Sequence, residues 1–330
     1  MANLVFVSLF LLSTLLLASG AAPPPLTGYI VGAHWACPGG STCHDWQLDV
    51  TRLLPQSVAK DGIFPLVTLL NGVANKDTTF QILDAFNNNT REFFVAATIK
   101  PRVVTLWSVH INNDVTAAQI VANTTFEFPA DANSLLRIQP TLNNTVLALF
   151  NDGSVHAVNA STGAISLLGH VFAQHTTGIA TQGSAVDLAN NALYALLFDS
   201  AHDHPWIITM DLNSGNIVAS YNITIPALPH YLENWVGEYA FNALWAPSEQ
   251  AMYVFMQGDV FSQDQVWSIE PANGHAYPAV GSFTLDNLQF DSISPKDNDA
   301  LQVDCYDPIN QLLYVQARHL IYMMALSFMH

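Results

Sequence analysis

Three stretches of this sequence repeat one another without gaps: VHAVNASTGAISLL at residues 155–168, IITMDLNSGNIVAS at residues 207–220 and VWSIEPANGHAYPA at residues 266–279. Each consists of an alternating apolar run, a polar turn and a second alternating run, which predicts two antiparallel strands joined by a hairpin. Gly163, Gly215 and Gly274 occupy the same place in the three turns. A turn that needs a positive φ favours glycine, because glycine adopts this conformation without steric cost.

Each hairpin follows a further apolar run, and the complete unit contains four predicted strands. Corresponding positions of the second strand recur at intervals of 47 to 61 residues, at Phe93, Leu147, Tyr194, Tyr253 and Tyr314. Two similar segments, AVDLANNALY and CYDPINQLLY, place Asp187 and Asp307 seven residues ahead of two of these tyrosines. Four-stranded units that repeat at this spacing are typical of β-propeller blades. The sequence therefore predicts an all-β propeller without helices, with six blades favoured over seven.

The ends of the chain repeat the unit less clearly. Residues 29–33 and 46–50 are interpreted as the second and third strands of the first unit, which then has no clear first strand. The last unit lacks a clear fourth strand, so we expect the chain ends to meet and close the ring. Residues 60–77 fit no strand of the pattern, which leaves a seventh blade open.

The hairpin repeats resemble those of quinoprotein-like propellers, of the PQQ-repeat and YVTN type. The stretch at residues 155–168 matches that family's repeat at Ala157, Thr162 and Gly163, and the resemblance covers about residues 144–280. The tryptophan that closes the family's motif is absent here, and so is the adjacent cysteine pair that contacts the quinone in several members. The resemblance implies the propeller fold without the quinone, so a quinone-type oxidoreductase is the weakest functional interpretation.

The beginning of the chain predicts secretion. Residues 1–20 contain no charged side chain, are apolar from Leu4 to Leu17 and end in small residues, as a signal peptide does. Residues 21–28 form a proline-rich lead-in, and residues 29–330 are predicted to be a single propeller domain. N-x-Ser/Thr sequons, which are acceptors for N-glycans in the secretory pathway, occur at Asn88, Asn123, Asn143, Asn159 and Asn222. We expect a glycoprotein that is extracellular or lies in the lumen of the secretory or endolysosomal pathway.

The charge balance is strongly acidic. Nine lysines and arginines against 26 aspartates and glutamates give a net charge of −17. Nucleic acids and anionic membranes both require a basic face, so neither is expected as a partner. The apolar segment at residues 319–330 is too short to span a membrane and is interpreted as a strand.

Cys37 and Cys43 flank the loop sequence PGGST, and histidines lie close to both cysteines. A haem attachment needs C-x-x-C-H spacing, which is absent, whereas a zinc site stays an alternative. In an oxidising compartment a disulfide between Cys37 and Cys43 is favoured over a metal site. Cys305 is then expected to be a buried free thiol.

Loops of two kinds alternate along the predicted blades, and this sorts them onto two faces. The first kind is short and uniform, whereas the second is long and irregular: CPGGSTC at residues 37–43, DSAHDHP at 199–205, PHYLENWVGEY at 229–239, QGDVFSQD at 257–264 and DSISPKDND at 291–299. Long variable loops on a rigid scaffold are where binding and catalysis concentrate. We expect the face formed by the long loops to be functional.

Two groups of candidate residues lie in these loops. His202, Asp203 and His204 form a His-x-His pattern that offers two imidazoles to one ion, zinc or calcium being the expected choice; a solvated polar loop is the alternative. Side chains that suit a ligand, through stacking or hydrogen bonding, are Tyr231, Glu233, Trp235 and Asp259. The aromatic members of this second group would equally suit a role in capping the core.

No catalytic or cofactor-binding motif accompanies these loops: the sequence has no G-x-S-x-G, H-E-x-x-H, P-loop or dinucleotide fingerprint. The favoured interpretation is an extracellular binding module that holds a glycan or a protein through its long-loop face. The alternative is a metal-dependent hydrolase or lyase with its site at the mouth of the central channel.

Overall fold

A computed structural model describes residues 30–36, 46–53, 63–73, 82–87, 89–142, 145–172, 178–199, 204–224, 240–256, 265–278, 302–307, 312–317 and 320–325. The signal peptide and lead-in predicted for residues 1–28 lie outside this described part. Within it, the chain forms strands and turns and no helix.

The described strands form six antiparallel sheets, and each sheet follows the order of the chain. The first sheet contains β1 (Ile30–Ala36), β2 (Trp46–Leu53) and β3 (Ile63–Val73); the second contains β4 (Ile82–Asn87), β5 (Glu92–Lys100), β6 (Val103–Ile111) and β7 (Ala118–Glu127). The third contains β8 (Leu135–Pro140), β9 (Thr145–Phe150), β10 (Ser154–Asn159) and β11 (Ile165–His170). The fourth contains β12 (Gly178–Asp187), β13 (Ala192–Asp199), β14 (His204–Asp211) and β15 (Ile217–Asn222). The fifth contains β16 (Ala240–Ala246), β17 (Ala251–Met256), β18 (Gln265–Ile269) and β19 (Ala276–Pro278), and the sixth β20 (Gln302–Asp307), β21 (Leu312–Ala317) and β22 (Leu320–Ala325).

The first strands of successive sheets lie next to one another. β1 lies beside β4, β4 beside β8, β8 beside β12, β12 beside β16, and β16 beside β20. Four-stranded meanders whose first strands gather in this way are the blades of a propeller. The chain is a β-propeller. The three repeated stretches are the third and fourth strands of the third, fourth and fifth sheets, as the sequence predicts.

The first sheet differs from the prediction. Residues 29–33 and 46–50 were expected to belong to second and third strands, but β1 lies beside the innermost strand β4 and pairs with β2. β1 and β2 are therefore the first and second strands of their sheet. β3 is the third, and it accounts for most of the segment at residues 60–77 that fitted no strand. The described part of this sheet ends with β3, so the strand missing from it is the fourth and not the first.

The core lies between neighbouring sheets, where their faces pack together. The side chains between the second and third sheets include Phe94, Leu106, Phe128, Ile138 and Phe150, all of them buried. Equivalent apolar layers fill the spaces between the first and second, third and fourth, and fourth and fifth sheets. Alternate residues of an inner strand pack against opposite neighbouring sheets, so β5 and β9 are buried almost continuously. The outermost strand β7 instead alternates between partly buried and exposed residues.

The hairpin turns are held by the side chain that begins each of them. The Asn159 Oδ1 atom accepts hydrogen bonds from the N–H groups of Ser161 and Thr162, both at 3.0 Å. In the fourth sheet, the Asp211 carboxylate accepts from the N–H groups of Asn213 and Ser214 at 3.1 and 3.3 Å. Such side-chain hydrogen bonds replace backbone pairing in a turn and explain the Asn or Asp at this position.

The glycine of each hairpin turn meets two requirements at once. Gly163, Gly215 and Gly274 all have positive φ, at 72°, 71° and 76°. Each also contacts the outermost strand of the preceding sheet: a Cβ atom on Gly215 would overlap the carbonyl oxygen of Leu168, and one on Gly274 that of Asn222. The glycine is therefore required by the packing between sheets as well as by the local turn.

The turn between the first and second strands uses a different device. Asp187 is buried, and its carboxylate accepts hydrogen bonds from the N–H groups of Ala189 and Asn190 and from the Tyr194 hydroxyl, the last at 3.4 Å. Burial, together with this carboxylate, raises the pKa of Tyr194 to about 12. The seven-residue spacing of Asp187 and Tyr194 in the sequence thus reflects a contact across the turn.

Alanine substitutions at four glycines distinguish the cost of a positive φ from the cost of a Cβ overlap between sheets. Gly215→Ala introduces both the strained φ and the overlap, Gly72→Ala the strained φ alone, and Gly169→Ala an overlap with the Gly215 carbonyl oxygen alone. Gly32 has neither constraint, so Gly32→Ala is the control. We expect unfolding free energies to fall by about 1 kcal/mol for Gly72→Ala and by about 3 kcal/mol for Gly215→Ala, with Gly32→Ala within about 0.5 kcal/mol of wild type.

Urea denaturation followed by tryptophan fluorescence measures these differences. If Gly215→Ala and Gly169→Ala destabilise the protein no more than Gly72→Ala does, close packing between the sheets is not the reason for the conserved turn position within the repeats.

Candidate functional site

The order of the strands assigns every loop to a face. Turns between first and second strands and between third and fourth strands lie on one face, which we call the short-turn face. Loops between second and third strands, and those that connect successive sheets, lie on the opposite, long-loop face. Four of the five long loops follow the prediction, since residues 200–203 and 257–264 join second to third strands and residues 225–239 and 279–301 connect sheets. The loop at residues 37–45 joins β1 to β2, which moves it to the short-turn face and corrects the prediction.

The side chains predicted to bind a metal or ligand fall largely outside the described residues. This holds for His202, Asp203, Tyr231, Glu233, Trp235 and Asp259, and also for Cys37 and Cys43. His204 is the first residue of β14, where its backbone pairs with Asp199. It therefore lies at the long-loop face, at the end of the loop that holds the other two residues of the His-Asp-His pattern.

Two further findings concern the described part of the chain. It contains no group of three or more His, Cys, Asp or Glu side chains that could hold a metal ion. None of its segments is a helix that is long and apolar enough to cross a membrane.

None of the sequons lies in a long loop, although Asn222 lies at the end of β15 from which the long loop at residues 225–239 leaves. Asn123 is exposed in the outermost strand β7, and Asn222 is exposed at the end of the outermost strand β15. Asn159 is exposed at the start of a hairpin turn on the short-turn face. Asn88 and Asn143 are outside the described residues, but each belongs to a segment that joins a first to a second strand, on the short-turn face.

A polar cluster that the sequence analysis did not single out lies where the innermost strands meet. We call it the axis cluster; its side chains are Asp84 of β4, Arg137 and Gln139 of β8, and Ser184 of β12. The Asp84 Oδ2 atom accepts a hydrogen bond from the Ala33 N–H of β1 at 3.2 Å. The Gln139 Nε2 atom donates to the Ser184 carbonyl oxygen at 3.0 Å. The cluster thus connects the first four sheets near the axis of the ring.

The electrostatics of the axis cluster are set by burial. Arg137 is 8% exposed, Ser184 is fully buried and Asp84 is half-buried. Desolvation raises the pKa of Asp84, while the Ala33 N–H and the positive charge of Arg137 oppose that rise. The carboxylate and the guanidinium belong to neighbouring sheets, and opposite charges that share a poorly solvated site attract each other. This attraction predicts an ion pair between the second and third sheets.

Other arginines are engaged by backbone carbonyls at the turns. Arg102 donates to the carbonyl oxygens of Ala132, Pro129 and Ala130 at 2.8, 2.6 and 3.1 Å. On the short-turn face, Arg91 donates to the Asn112 carbonyl oxygen at 2.8 Å. These guanidinium groups fix turns and loops within the first three sheets.

Charge is distributed unevenly around the ring. The sequence contains no lysine or arginine between Arg137 and Lys296, a stretch that includes almost all of the third, fourth and fifth sheets and contains thirteen aspartates and glutamates. On the described part of this stretch, Asp211 is exposed to solvent, and hydrogen bonds from the Ser214 hydroxyl and the Asn213 N–H lower its pKa. This stretch therefore carries a net negative charge at neutral pH, which produces a negative potential over this half of the molecule.

Comparison with known proteins extends to the fold alone. No protein-family model matches the chain, and no curated protein sequence matches it either. Among solved structures, it is similar to the hydrazine synthase of Kuenenia stuttgartiensis, with 11% identity, a TM-score of 0.50 and coverage of 86% of this chain and 74% of that one. For the RRP9 WD40 repeats the identity is 9% and the TM-score is 0.45, with coverage of 86% of this chain and 77% of that one. For the Dos1 propeller the identity is 11% and the TM-score is 0.41, with coverage of 87% of this chain and 80% of that one.

A double-mutant cycle tests the ion pair of the axis cluster. Asp84→Leu and Arg137→Met each leave a buried charge without its opposite, so each is expected to lower the free energy of unfolding by about 3 kcal/mol. The double variant is expected to lose less than the sum of the two, with a coupling energy above about 1 kcal/mol. Lys100→Met, at an exposed position, is the control and should stay within about 0.5 kcal/mol of wild type.

The pH dependence of the same variants gives an independent check. Because the pKa of Asp84 is raised in the folded protein, the folded state binds its proton more tightly than the unfolded state does. The contribution of Asp84 to stability therefore decreases as the pH rises through the interval between the ordinary aspartate pKa and the raised one. Arg137→Met should extend that decrease to higher pH, and Asp84→Leu should abolish it. Additive single effects and unchanged pH profiles would contradict the ion pair.

Proposed function

We propose that this protein is a secreted glycoprotein that binds an extracellular protein with a basic surface through its long-loop face. The observation that carries the proposal is that none of the five sequons lies within a long loop. All five lie in outermost strands or in segments of the short-turn face. Glycans at these positions would shield the periphery and the opposite face, and would leave the long loops accessible.

The scaffold beneath these loops is rigid. Apolar layers fill the spaces between sheets, and side-chain hydrogen bonds hold the hairpin turns at Asn159 and Asp211. The repeated units of this chain differ from one another most in the loops on the long-loop face, which is the usual arrangement in binding proteins built on a repeated framework. A preorganised support of this kind lowers the entropic cost of binding, because the loops begin and end on fixed strands.

The chemistry of the loops favours a basic protein over an acidic glycan. The loops at residues 200–203, 225–239 and 257–264 contain Asp203, Glu233, Glu238, Asp259 and Asp264 and no lysine or arginine. They also contain Tyr231 and Trp235, residue types that dominate binding energy at protein interfaces. Carboxylates around aromatic anchors suit a partner that presents arginine or lysine side chains, since opposite charges accelerate and orient association.

A binding screen with matched variants tests this proposal. The protein secreted from a eukaryotic host is assayed against a panel of purified extracellular domains and against a neutral and an acidic glycan array. Trp235→Ala is expected to weaken binding of a protein ligand about tenfold or more, as the loss of a central aromatic anchor does. Glu233→Lys should slow association and reduce its dependence on salt.

Glu249→Lys is the matched control, because it makes the same charge change at an exposed turn on the short-turn face of the anionic half. It should leave binding within about twofold of wild type. Binding that depends on Glu249 and not on the long-loop residues would overturn the choice of face. Binding to neutral glycans alone, independent of salt and of Glu233, would replace the protein ligand by a carbohydrate.

The alternative function is a metal-dependent hydrolase or lyase, which is favoured by the position of His204 at the long-loop face. Elemental analysis after exhaustive dialysis distinguishes it from binding alone. About one zinc or calcium ion per chain, lost in His202→Ala/His204→Ala, would support the enzyme. A metal content unchanged by the double variant, or below about 0.1 per chain, would remove the His-Asp-His site.

A further inference from the structure

The outermost strands of the second, third and fourth sheets are open edges. β7, β11 and β15 each end the order of their sheet in the part of the chain that the structure describes. An outermost strand has backbone N–H and C=O groups on one side that no strand of its own sheet uses. Such an edge can pair with the edge of another molecule and cause association or aggregation.

These three edges also expose apolar side chains. Five of the seven large hydrophobic side chains that are exposed in the described residues belong to them: Val121, Ile165, Leu167, Val218 and Tyr221, with exposed fractions of 51%, 36%, 53%, 63% and 39%. A strand that combines an open edge with exposed branched or aromatic side chains has a high tendency to pair with another strand.

Charged residues and prolines protect these edges little. Natural proteins block edges with lysines, prolines, bulges or covering segments. In β7, β11 and β15, Glu127 is the single aspartate, glutamate, lysine or arginine, and none of the three contains proline. Each strand has one bulge, at Val121, Leu168 and Val218. The hairpin turn of the next sheet covers the end of each strand, which leaves the beginning of each strand open.

Sequons occur at these same three strands. Asn123 is an exposed residue in the middle of β7, and Thr125, which completes its sequon, is exposed on the same face because the two are two residues apart. Asn222 is exposed at the end of β15, and its sequon is completed by the exposed Thr224. Asn159 begins the turn that leads into β11. Each of the three edges therefore has one acceptor in the strand or at its entry.

We propose that N-glycans at Asn123, Asn159 and Asn222 block the open sheet edges and prevent a second copy of this chain from pairing with them. The inference rests on the glycosylation included in the proposed function, and is independent of the ligand. An N-glycan is bulky and strongly hydrated. Attached to an edge strand, it fills the space that a paired strand would occupy, and so has the effect that a charged residue has on other edges.

Variants of the sequon threonines test the proposal, because valine replaces only the hydroxyl group that glycosylation requires and serine retains it. Thr125→Val/Thr224→Val removes two acceptors while leaving Asn123 and Asn222 in place, and Thr125→Ser/Thr224→Ser keeps both acceptors. Chymotryptic peptides analysed by mass spectrometry give the occupancy of each site. Light scattering and sedimentation equilibrium then give the oligomeric state. We expect the valine pair to self-associate with a dissociation constant lower by about tenfold or more, whereas the serine pair stays monomeric like wild type.

Two further variants exclude a general effect of losing glycans. Thr90→Val removes the sequon of Asn88, which belongs to the segment that joins β4 to β5 and not to an outermost strand, and should leave the protein monomeric. Adding Val121→Lys to the valine pair should restore the monomer, because a lysine blocks the edge of β7 directly. If the valine pair is not secreted, endoglycosidase trimming of the secreted wild-type protein to one sugar per site gives the same readout.

Absence of glycans at Asn123 and Asn222 would overturn the proposal, and so would a valine pair that stays monomeric or a trimmed wild-type protein that does not associate. Failure of the ligand screen would affect the proposed function alone, since oligomeric state is measured without ligand.

Discussion

The architecture depends on a backbone contact between neighbouring sheets. At the third, fourth and fifth sheets, the glycine of the hairpin turn packs against the outermost strand of the sheet before it, so closely that no Cβ atom fits. Between the fourth and fifth sheets the contact is reinforced by hydrogen bonds, from the Thr224 N–H to the Gly274 carbonyl oxygen at 2.9 Å and from the Ala276 N–H to the Thr224 carbonyl oxygen at 2.8 Å. The apolar layers supply the driving force for packing, and these contacts fix the distance between sheets at the periphery.

Polar groups fix the same sheets near the axis. Asp84, Arg137 and Gln139 connect innermost strands through charge and hydrogen bonds, whereas the glycines act at the outer strands. A propeller blade is thus held to its neighbour at both ends, with hydrophobic packing between them. Such a scaffold keeps its geometry when loops change, because none of these contacts involves a long loop. This separation of framework from loops is the physical basis for placing the function on one face.

Much of the fold could be predicted from its repeated hairpins. In each of them, alternating strands flank a glycine that is required because its φ is positive and a Cβ atom would not fit. The prediction failed where these signals are missing. The pairing of β2 with β3 contains three irregularities of register. They interrupt the apolar alternation of the sequence, which is why β3 was not predicted. The hairpin turn of the second sheet has Val115 at a φ of 54°, and the Asn112 side chain holds it by accepting from the Thr116 and Ala117 N–H groups at 2.9 Å. The axis cluster gave no signal, since Asp84 and Arg137 are single polar residues in strands far apart in sequence. Their proximity follows from the ring of sheets, which periodicity within one strand does not reveal.

The uneven distribution of lysine and arginine has a consequence for susceptibility to proteolysis. Trypsin-like proteases hydrolyse the bond that follows a lysine or arginine, because their specificity pocket contains a carboxylate. The 158 residues between Arg137 and Lys296 offer these enzymes no such bond, even when a strand edge opens or a long loop is fully extended. The fourth and fifth sheets with their loops, and the third sheet beyond Arg137, therefore resist trypsin-like proteases through composition alone. The bonds that remain cleavable belong to the first and second sheets and the segments after them, to Arg137 in β8, and to the segments at Lys296 and Arg318.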